Sequence, residues 1–182
     1  ADSAQLLLMM FILIIRAERY ARMIKMNIIN KSWALSARDK QVEPWDQVDS
    51  AKKEDMDLRM AIYAAQIECM DRNIGRIIAK LQQLNLLDNT LFIFLSDNGG
   101  CAEGGPWGFS RNKDKLGTAD SWCSYGMSWA NASNTPFRRY KHWVHEGGIA
   151  TPLIVHWPAG ISRERRGRLE HQIGHIIDIM PT

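Results

Sequence analysis

A carboxylate and a carboxamide stand side by side at Asp97 and Asn98, and only Ser96 separates them from the apolar run Leu91–Leu95. A short apolar run that is closed by the glycine pair Gly99 and Gly100 predicts a buried strand that stops at a turn. In open α/β sheets, ligands bind just past the carboxyl ends of such strands, and hard cations prefer oxygen ligands. The pattern therefore has two interpretations, a metal site or an ordinary turn, and taken alone it favours the turn.

A second cluster of polar side chains lies at residues 138–148, which read RRYKHWVHEGG. Lys141, His142, His145 and Glu146 stand close together here and are followed by another glycine pair. A group of cations near the end of a strand can bind a tetrahedral oxyanion, for which a lysine supplies a compact charge. The alternative is a solvated basic loop, which the pattern alone favours.

Composition and motifs exclude several other classes of protein. The net charge of +3 is too small to indicate nucleic acid binding, and the sequence contains no RNA- or DNA-binding motif. It also contains no GxSxG, Walker, HExxH or GxGxxG pattern, and its three cysteines form no CxxC pair. The apolar run Leu6–Ile15 is too short to span a bilayer and predicts a buried strand or helix. We therefore expect neither a nucleic acid partner nor a membrane span.

A long helix precedes the first strand. Apolar residues recur at every third or fourth position from about Glu54 to Leu84, and Asp49 and Ser50 offer a helix start before them. This spacing predicts one apolar stripe that faces the core.

Two strands and a long loop follow the helix. A short link leads into the strand that begins near Thr90, and residues 152–157 (PLIVHW) predict a second strand. A helix, a short link and an apolar strand are typical of an α/β layer. Residues 104–134, rich in Gly, Trp, Ser and Asn, predict an irregular excursion of a length that is usually functional.

Three stretches taken together resemble the sulfatase family, in particular bacterial-type arylsulfatases of the alkaline-phosphatase-like superfamily. They are residues 87–100 (LDNTLFIFLSDNGG), residues 131–149 (NASNTPFRRYKHWVHEGGI) and residues 151–160 (TPLIVHWPAG), with residues 175–182 (HIIDIMPT) behind them. The resemblance covers about residues 16–182. It implies a mixed α/β sheet flanked by helices, of which this chain supplies an incomplete part.

The resemblance also implies a chemistry and a role for three residues. Members of the family hydrolyse sulfate esters, here a small-molecule or carbohydrate sulfate ester, with a bound calcium ion and a formylglycine nucleophile. Matched to the family's motifs, Asp97 and Asn98 are two calcium ligands and Lys141 contacts the sulfate of the substrate. The glutamate and the glycine pair that follow Lys141 match the family as structural residues.

The nucleophile is the main departure from the family pattern. No C/S-x-P-x-R motif occurs, and none of Cys69, Cys101 and Cys123 stands in such a context. We therefore expect residues 16–182 to be the C-terminal portion of a sulfatase catalytic domain, with the formylglycine upstream and no catalytic nucleophile in this chain. Residues 1–15 stay unassigned.

Two alternatives remain open on the sequence alone. One is another hydrolase of the superfamily, such as a phosphodiesterase or a phosphonate hydrolase, and the other is a truncated homologue without catalytic activity. The resemblance fits a periplasmic or secreted full-length protein, and it leaves the compartment and the oligomeric state open.

Overall fold

The structure, a computed structural model, describes residues 11–181, with side chains from Ile15 onward. The predicted apolar segment therefore lies partly outside the described residues, and its described part begins a helix at Phe11. The α-helices are α1 (Phe11–Lys25), α2 (Ser50–Gln83), α3 (Gly126–Ser133) and α4 (Glu146–Ile149). The strands are β1 (Phe92–Leu95), β2 (Phe109–Arg111), β3 (Trp122–Ser124) and β4 (Leu153–His156). Short 3-10 helices occupy Trp45–Gln47, Leu87–Asn89, Lys113–Lys115, Arg163–Arg165 and Ile176–Asp178.

The chain divides into two units, the first made of Ala1–Asp71 and Asn98–Ala150 and the second of Arg72–Asp97 and Thr151–Thr182.

The hydrophobic core of the first unit is built around two tryptophans. The rings of Trp45 and Trp129 lie 5.9 Å apart, and the indole N–H of Trp129 donates to the carbonyl oxygen of Met56 at 3.0 Å. Because each buried aromatic ring contributes roughly 2–3 kcal/mol of hydrophobic stabilisation, this cluster fixes the start of α2 against α3.

Helix α2 begins where its sequence predicts. The side chain of Asp49 accepts a hydrogen bond from the backbone N–H of Lys52 at 2.9 Å, which caps the first turn. That bond and the nearby lysine lower the pKa of Asp49. The helix runs without interruption to Gln83, because no proline breaks it and its single glycine, Gly75, is tolerated in a helix of this length.

The prediction that the apolar stripe of α2 faces a core is wrong for the described residues. Along this stripe Ile67 is 41% exposed, Ile77 is 54% exposed and Leu84 is 52% exposed. The residues of α2 that are buried are instead Met56 and Arg59, both in its first half. Helical spacing identifies which face is apolar, but burial also requires a second surface that covers this face.

The described strands form two separate sheets of two strands each. In the second unit β1 pairs with β4 in antiparallel register, so that Phe92 lies opposite His156 and Leu95 opposite Leu153. In the first unit β2 pairs with β3, and Phe109 lies opposite Ser124. These strands and α3 lie within residues 104–134, so the prediction of an irregular excursion there is wrong in part. Helices and small antiparallel sheets are consistent with the predicted α/β class, whereas the single mixed sheet stays a prediction.

The two strands that the sequence predicts are present, but they are not buried. Strand β1 is half-buried along its length, and in β4 the side chain of Ile154 is 59% exposed. Among the described residues each strand has one neighbour, so the outer edge of each strand is unpaired. No helix in the part of the chain that the structure describes combines the length and the apolar character needed to cross a membrane.

Candidate functional site

The first predicted site lies at the end of β1. Asp97 is exposed and Asn98 is half-buried, and the boundary between the two units falls between these two consecutive residues. In the second unit, the hydroxyl of Thr151 donates to the carbonyl oxygen of Ser96 at 2.9 Å, which ties the end of β1 to the segment before β4. The strand end that precedes Asp97 is therefore held in place within the second unit.

The two glycine pairs of the sequence pack directly on each other. The backbone N–H of Gly99 donates to the carbonyl oxygen of Gly148 at 3.0 Å. A Cβ atom added to Gly99 would overlap the carbonyl oxygen of Gly147, and one added to Gly147 would overlap that of Arg139. Glycine is needed here because two backbone segments approach closely, a contact that any side chain would prevent.

Asn134 joins these segments through its carboxamide. Its oxygen accepts from the backbone N–H of Gly100 at 2.9 Å. Its amino group donates to the carbonyl oxygens of Arg139 and Gly147, at 2.9 Å and 2.8 Å. A carboxamide can accept one hydrogen bond and donate two at once, whereas a carboxylate only accepts and a hydroxyl donates only one. Asn134 thus links the turn after Asn98 to the segment that carries Lys141.

Lys141 lies in a constrained loop. The residues on either side of Tyr140 and Lys141 have left-handed backbone conformations, with φ of 69° at Arg139 and 76° at His142. The carboxylate of Asp39 accepts from the guanidinium of Arg139 and from the hydroxyl of Tyr140, both at 3.2 Å. Non-glycine residues adopt such conformations at a cost, so the surrounding contacts must hold them there.

The backbone also connects Lys141 with the first site. The N–H of Lys141 donates to the carbonyl oxygen of Gly100 at 3.2 Å. Tyr140 is fully buried, and burial together with the nearby Asp39 carboxylate raises its pKa. The structure thus brings the predicted sulfate-binding residue next to the glycine pair that follows Asn98, within the first unit.

The side chain of Lys141 meets a carboxylate that the sequence did not single out. Its Nζ lies 2.8 Å from Oε1 of Glu103, and Nε2 of His142 lies 3.2 Å from the same oxygen. The thiol of Cys101 donates to Oε2 of Glu103 at 3.3 Å. The hydrogen bonds from Lys141 and then from His142 lower the pKa of Glu103 to about 2. No motif or spacing in the sequence indicates this contact.

The other polar residues of the predicted clusters have local roles. His145 is half-buried and contacts Arg138 through Nε2 at 3.4 Å, and Glu146 begins α4. Near the C-terminus, Nδ1 of His175 accepts from the backbone N–H of Ile177, and the Asp178 carboxylate accepts from the N–H of His175. These two residues cap a 3-10 helix, as expected of a structural segment.

The fit of the chain to a calcium ion can be judged from its donor set. Asp97 and Asn98 offer a carboxylate oxygen and a carboxamide oxygen, which are suitable ligands for a hard cation. Calcium takes about six to eight oxygen ligands. Within residues 11–181, no group of three or more His, Cys, Asp and Glu is arranged to hold a metal ion. These two donors therefore fit calcium in type, and they would supply only part of its shell.

Within the first unit, the turn that starts at Asn98 meets the loop of Lys141 through the two glycine pairs, and both segments belong to the motifs that resemble the sulfatase family. Comparison with known proteins agrees, because the sulfatase family model matches residues 32–182. The chain belongs to the sulfatase family, whose members adopt an alkaline-phosphatase-like fold.

Individual relatives support the same assignment. An uncharacterized sulfatase of Schizosaccharomyces pombe is 35% identical over an alignment of 151 residues, and the match covers 76% of this chain and 26% of that protein. An arylsulfatase of Klebsiella aerogenes is 31% identical over an alignment of 175 residues, and the match covers 91% of this chain and 37% of that protein. Human N-acetylgalactosamine-6-sulfatase is 29% identical over 120 residues, which are 66% of this chain and 18% of that protein. The chain thus spans 26% of the length of the first relative and 37% of the length of the second.

Proposed function

We propose that this chain is part of a sulfuric ester hydrolase of the arylsulfatase type, in which Lys141 binds the sulfate group. The observation that carries the proposal is the hydrogen bond from the backbone of Lys141 to Gly100, two residues after Asn98. It supports a single site to which Asn98 and Lys141 both contribute, on a substrate that is a small-molecule or carbohydrate sulfate ester.

The chemistry of the site follows from the charge of the substrate. A sulfate monoester carries negative charge on its sulfuryl oxygens, and an ammonium group at a fixed position stabilises that charge as the ester bond breaks. Asp97 and Asn98 would supply two ligands of a calcium ion, which in turn would polarise the sulfuryl oxygens. In hydrolysis, the ester and one water molecule give the free alcohol and hydrogen sulfate.

The nucleophile has to come from elsewhere in the proposed enzyme. Since C/S-x-P-x-R is absent from these 182 residues, we propose that a formylglycine is supplied by a segment encoded upstream of Ala1. An in-frame C/S-x-P-x-R motif in the upstream coding sequence is the expected finding. A complete upstream reading frame without this motif would favour a homologue without sulfatase activity.

Activity tests the proposal directly. The product of the whole reading frame, expressed with the enzyme that makes formylglycine, should hydrolyse nitrophenyl sulfate and should lose this activity in Lys141→Ala. The 182-residue chain alone should have no activity. Preferential hydrolysis of nitrophenyl phosphate or of a phosphonate ester would assign the protein to another branch of the superfamily.

Calcium binding tests the metal part separately. We expect weak calcium binding by the 182-residue chain in titration calorimetry, and we expect it to be lost in Asp97→Ala. Asp114→Ala, which removes another exposed carboxylate, is the matched control and should bind as the unchanged chain does. Equal heats for the Asp97→Ala and unchanged chains would remove Asp97 from the ligand set.

A further inference from the structure

Glu103 forms a contact that the family resemblance does not assign to it. Its carboxylate meets the ammonium group of Lys141 at 2.8 Å and the imidazole of His142 at 3.2 Å, both through Oε1. The side chain of Lys141 is 26% exposed and that of Glu103 is 47% exposed. An isolated ion pair with this exposure would contribute little to stability, so its significance depends on how firmly its two ends are held.

The backbone on the Glu103 side of the pair is anchored to buried structure. The carbonyl oxygen of Glu103 accepts from the hydroxyl of Ser124 on β3 at 2.6 Å. Ser124 is buried, and its own carbonyl oxygen accepts from the guanidinium of Arg59 at 2.6 Å. Glu103 therefore extends its carboxylate from a backbone that is fixed to β3 and, through Ser124, to helix α2.

The backbone on the Lys141 side is anchored by different contacts. The N–H of Lys141 is bonded to Gly100, and Asp39 holds the two residues that precede Lys141. With both backbones fixed, the main remaining freedom is in the two long side chains. A lysine side chain loses much rotational freedom when it binds an anion, unless another contact has already limited this freedom.

We propose that Glu103 is a positioning residue for the sulfate-binding site, which holds the ammonium group of Lys141 and the ring of His142 in place before the substrate arrives. This inference rests on the proposed sulfate contact of Lys141. In this role the Glu103 carboxylate increases the affinity of the site for sulfate, whereas a carboxylate that competed with sulfate would decrease it. If the carboxylate merely occupied the place of the sulfate, its removal would tighten sulfate binding instead of weakening it.

Nuclear magnetic resonance of the 182-residue chain can follow both the lysine and the anion. The ¹⁵N signal of the Lys141 ammonium group reports whether this group is held, and the shift of its backbone amide on addition of inorganic sulfate gives a dissociation constant. Glu103→Ala should remove the ammonium signal through fast exchange and weaken sulfate binding about three- to tenfold, because the lysine must then be ordered on binding. Glu103→Gln, which keeps a hydrogen-bond acceptor, should retain most of the affinity.

The control variant makes the same change at another exposed ion pair. Glu170 contacts Arg165 at 3.4 Å, and Glu170→Ala should leave both the Lys141 signal and the sulfate affinity unchanged. Unchanged or tighter sulfate binding in Glu103→Ala would overturn the positioning role.

Failure of the proposed function gives a different result. If Lys141→Ala binds sulfate as well as the unchanged chain, or if the unchanged chain shows no response to sulfate, the sulfate contact of Lys141 is wrong and this inference is overturned with it. If Lys141→Ala abolishes binding while Glu103→Ala does not weaken it, the lysine contact stands and only the role of Glu103 is rejected.

Discussion

The backbone N–H of Gly99 donates a hydrogen bond to the carbonyl oxygen of Gly148 at 3.0 Å. Each of these residues belongs to a glycine pair, one directly after Asn98 and the other directly after Glu146. Within the first unit, the same contact brings the turn at residues 98–100 against α4, so two segments that resemble sulfatase motifs meet through their backbones. Neither glycine has a positive φ, and close approach is what excludes a larger residue.

Substitution of Gly99 should therefore be severely destabilising. In Gly99→Ala the new methyl group would overlap the carbonyl oxygen of Gly147, and a backbone segment cannot move away as a flexible side chain can. We expect a loss of more than about 2 kcal/mol in the free energy of unfolding, measured by urea denaturation.

The matched control for Gly99→Ala is the same substitution within helix α2. Gly75 has no atom near the position of an added Cβ, so Gly75→Ala should raise the free energy of unfolding by about 0.5–1 kcal/mol through helix propensity. Equal stabilities of the two variants would show that the glycine pairs are not in close contact.

Replacement of Asn134 by aspartate tests the link between the same segments. The amino group of Asn134 donates to two carbonyl oxygens, and in Asn134→Asp these would face a carboxylate oxygen of similar size. Loss of both donors and the new repulsion should lower the free energy of unfolding at neutral pH by about 2–4 kcal/mol.

Asn73 provides the same chemical change in a different setting. Its carboxamide oxygen accepts from the exposed guanidinium of Arg76 at 3.1 Å, and a carboxylate can accept this bond equally well. Asn73→Asp should change the free energy of unfolding by less than about 0.5 kcal/mol. A similar loss in both variants would indicate a general effect of the added charge, and would argue against the specific role of Asn134.

Arg59 is a buried polar connection between α2 and the excursion of residues 104–134. Its side chain is 2% exposed, and it donates to the carbonyl oxygens of Trp107 and Ser124 at 2.7 Å and 2.6 Å. It also pairs with the carboxylate of Asp55 at 2.6 Å. Arg59→Met would leave these acceptors without their charged donor, and should cost about 2–4 kcal/mol in chemical denaturation.

The corresponding change on the exposed part of α2 serves as the control. Arg76 donates to Asn73, a neighbour on the same helix, and Arg76→Met should cost less than about 0.5 kcal/mol. If Arg59→Met were equally mild, the excursion would have to be held to α2 by its apolar contacts, chiefly those of Trp107 and Trp129.

The local elements of this fold could be predicted from the sequence. The start of α2 at Ser50 and strands β1 and β4 follow from a capping aspartate, from helical and strand spacing, and from the glycines and prolines at their ends. These signals act within a few residues of the chain, so no knowledge of the tertiary structure is needed. The helical stripe of α2 was predicted in the same way, but its burial was not, because burial depends on distant residues.

The arrangement of the candidate site needed the structure. Asp97, Asn98 and Lys141 were identified by resemblance to the family, and their roles stay predictions. The contacts of Asn134 and Glu103 could not be identified from the sequence, because Asn134 is separated from Gly100 by 34 positions and Glu103 from His142 by 39. A single glutamate or asparagine in a polar loop carries no periodic signal, and its partner is set only when the loops are packed together.

The pH dependence of Glu103 provides the most direct test of its contact with Lys141. In the folded chain, the pKa of Glu103 is lowered from 4.5 to about 2, mainly by the hydrogen bond from Lys141 and then by that from His142. A carboxylate with a lowered pKa stabilises the folded state above its ordinary pKa, and the contribution is lost as the pH falls toward the folded value. A ¹³C titration of the Glu103 carboxyl should therefore have its midpoint near 2. In Lys141→Ala the midpoint should rise toward 4.5, whereas Lys115→Ala, which removes a lysine paired with Asp120, should leave it unchanged. A midpoint near 4.5 in the unchanged chain would show that the ion pair is not formed in solution.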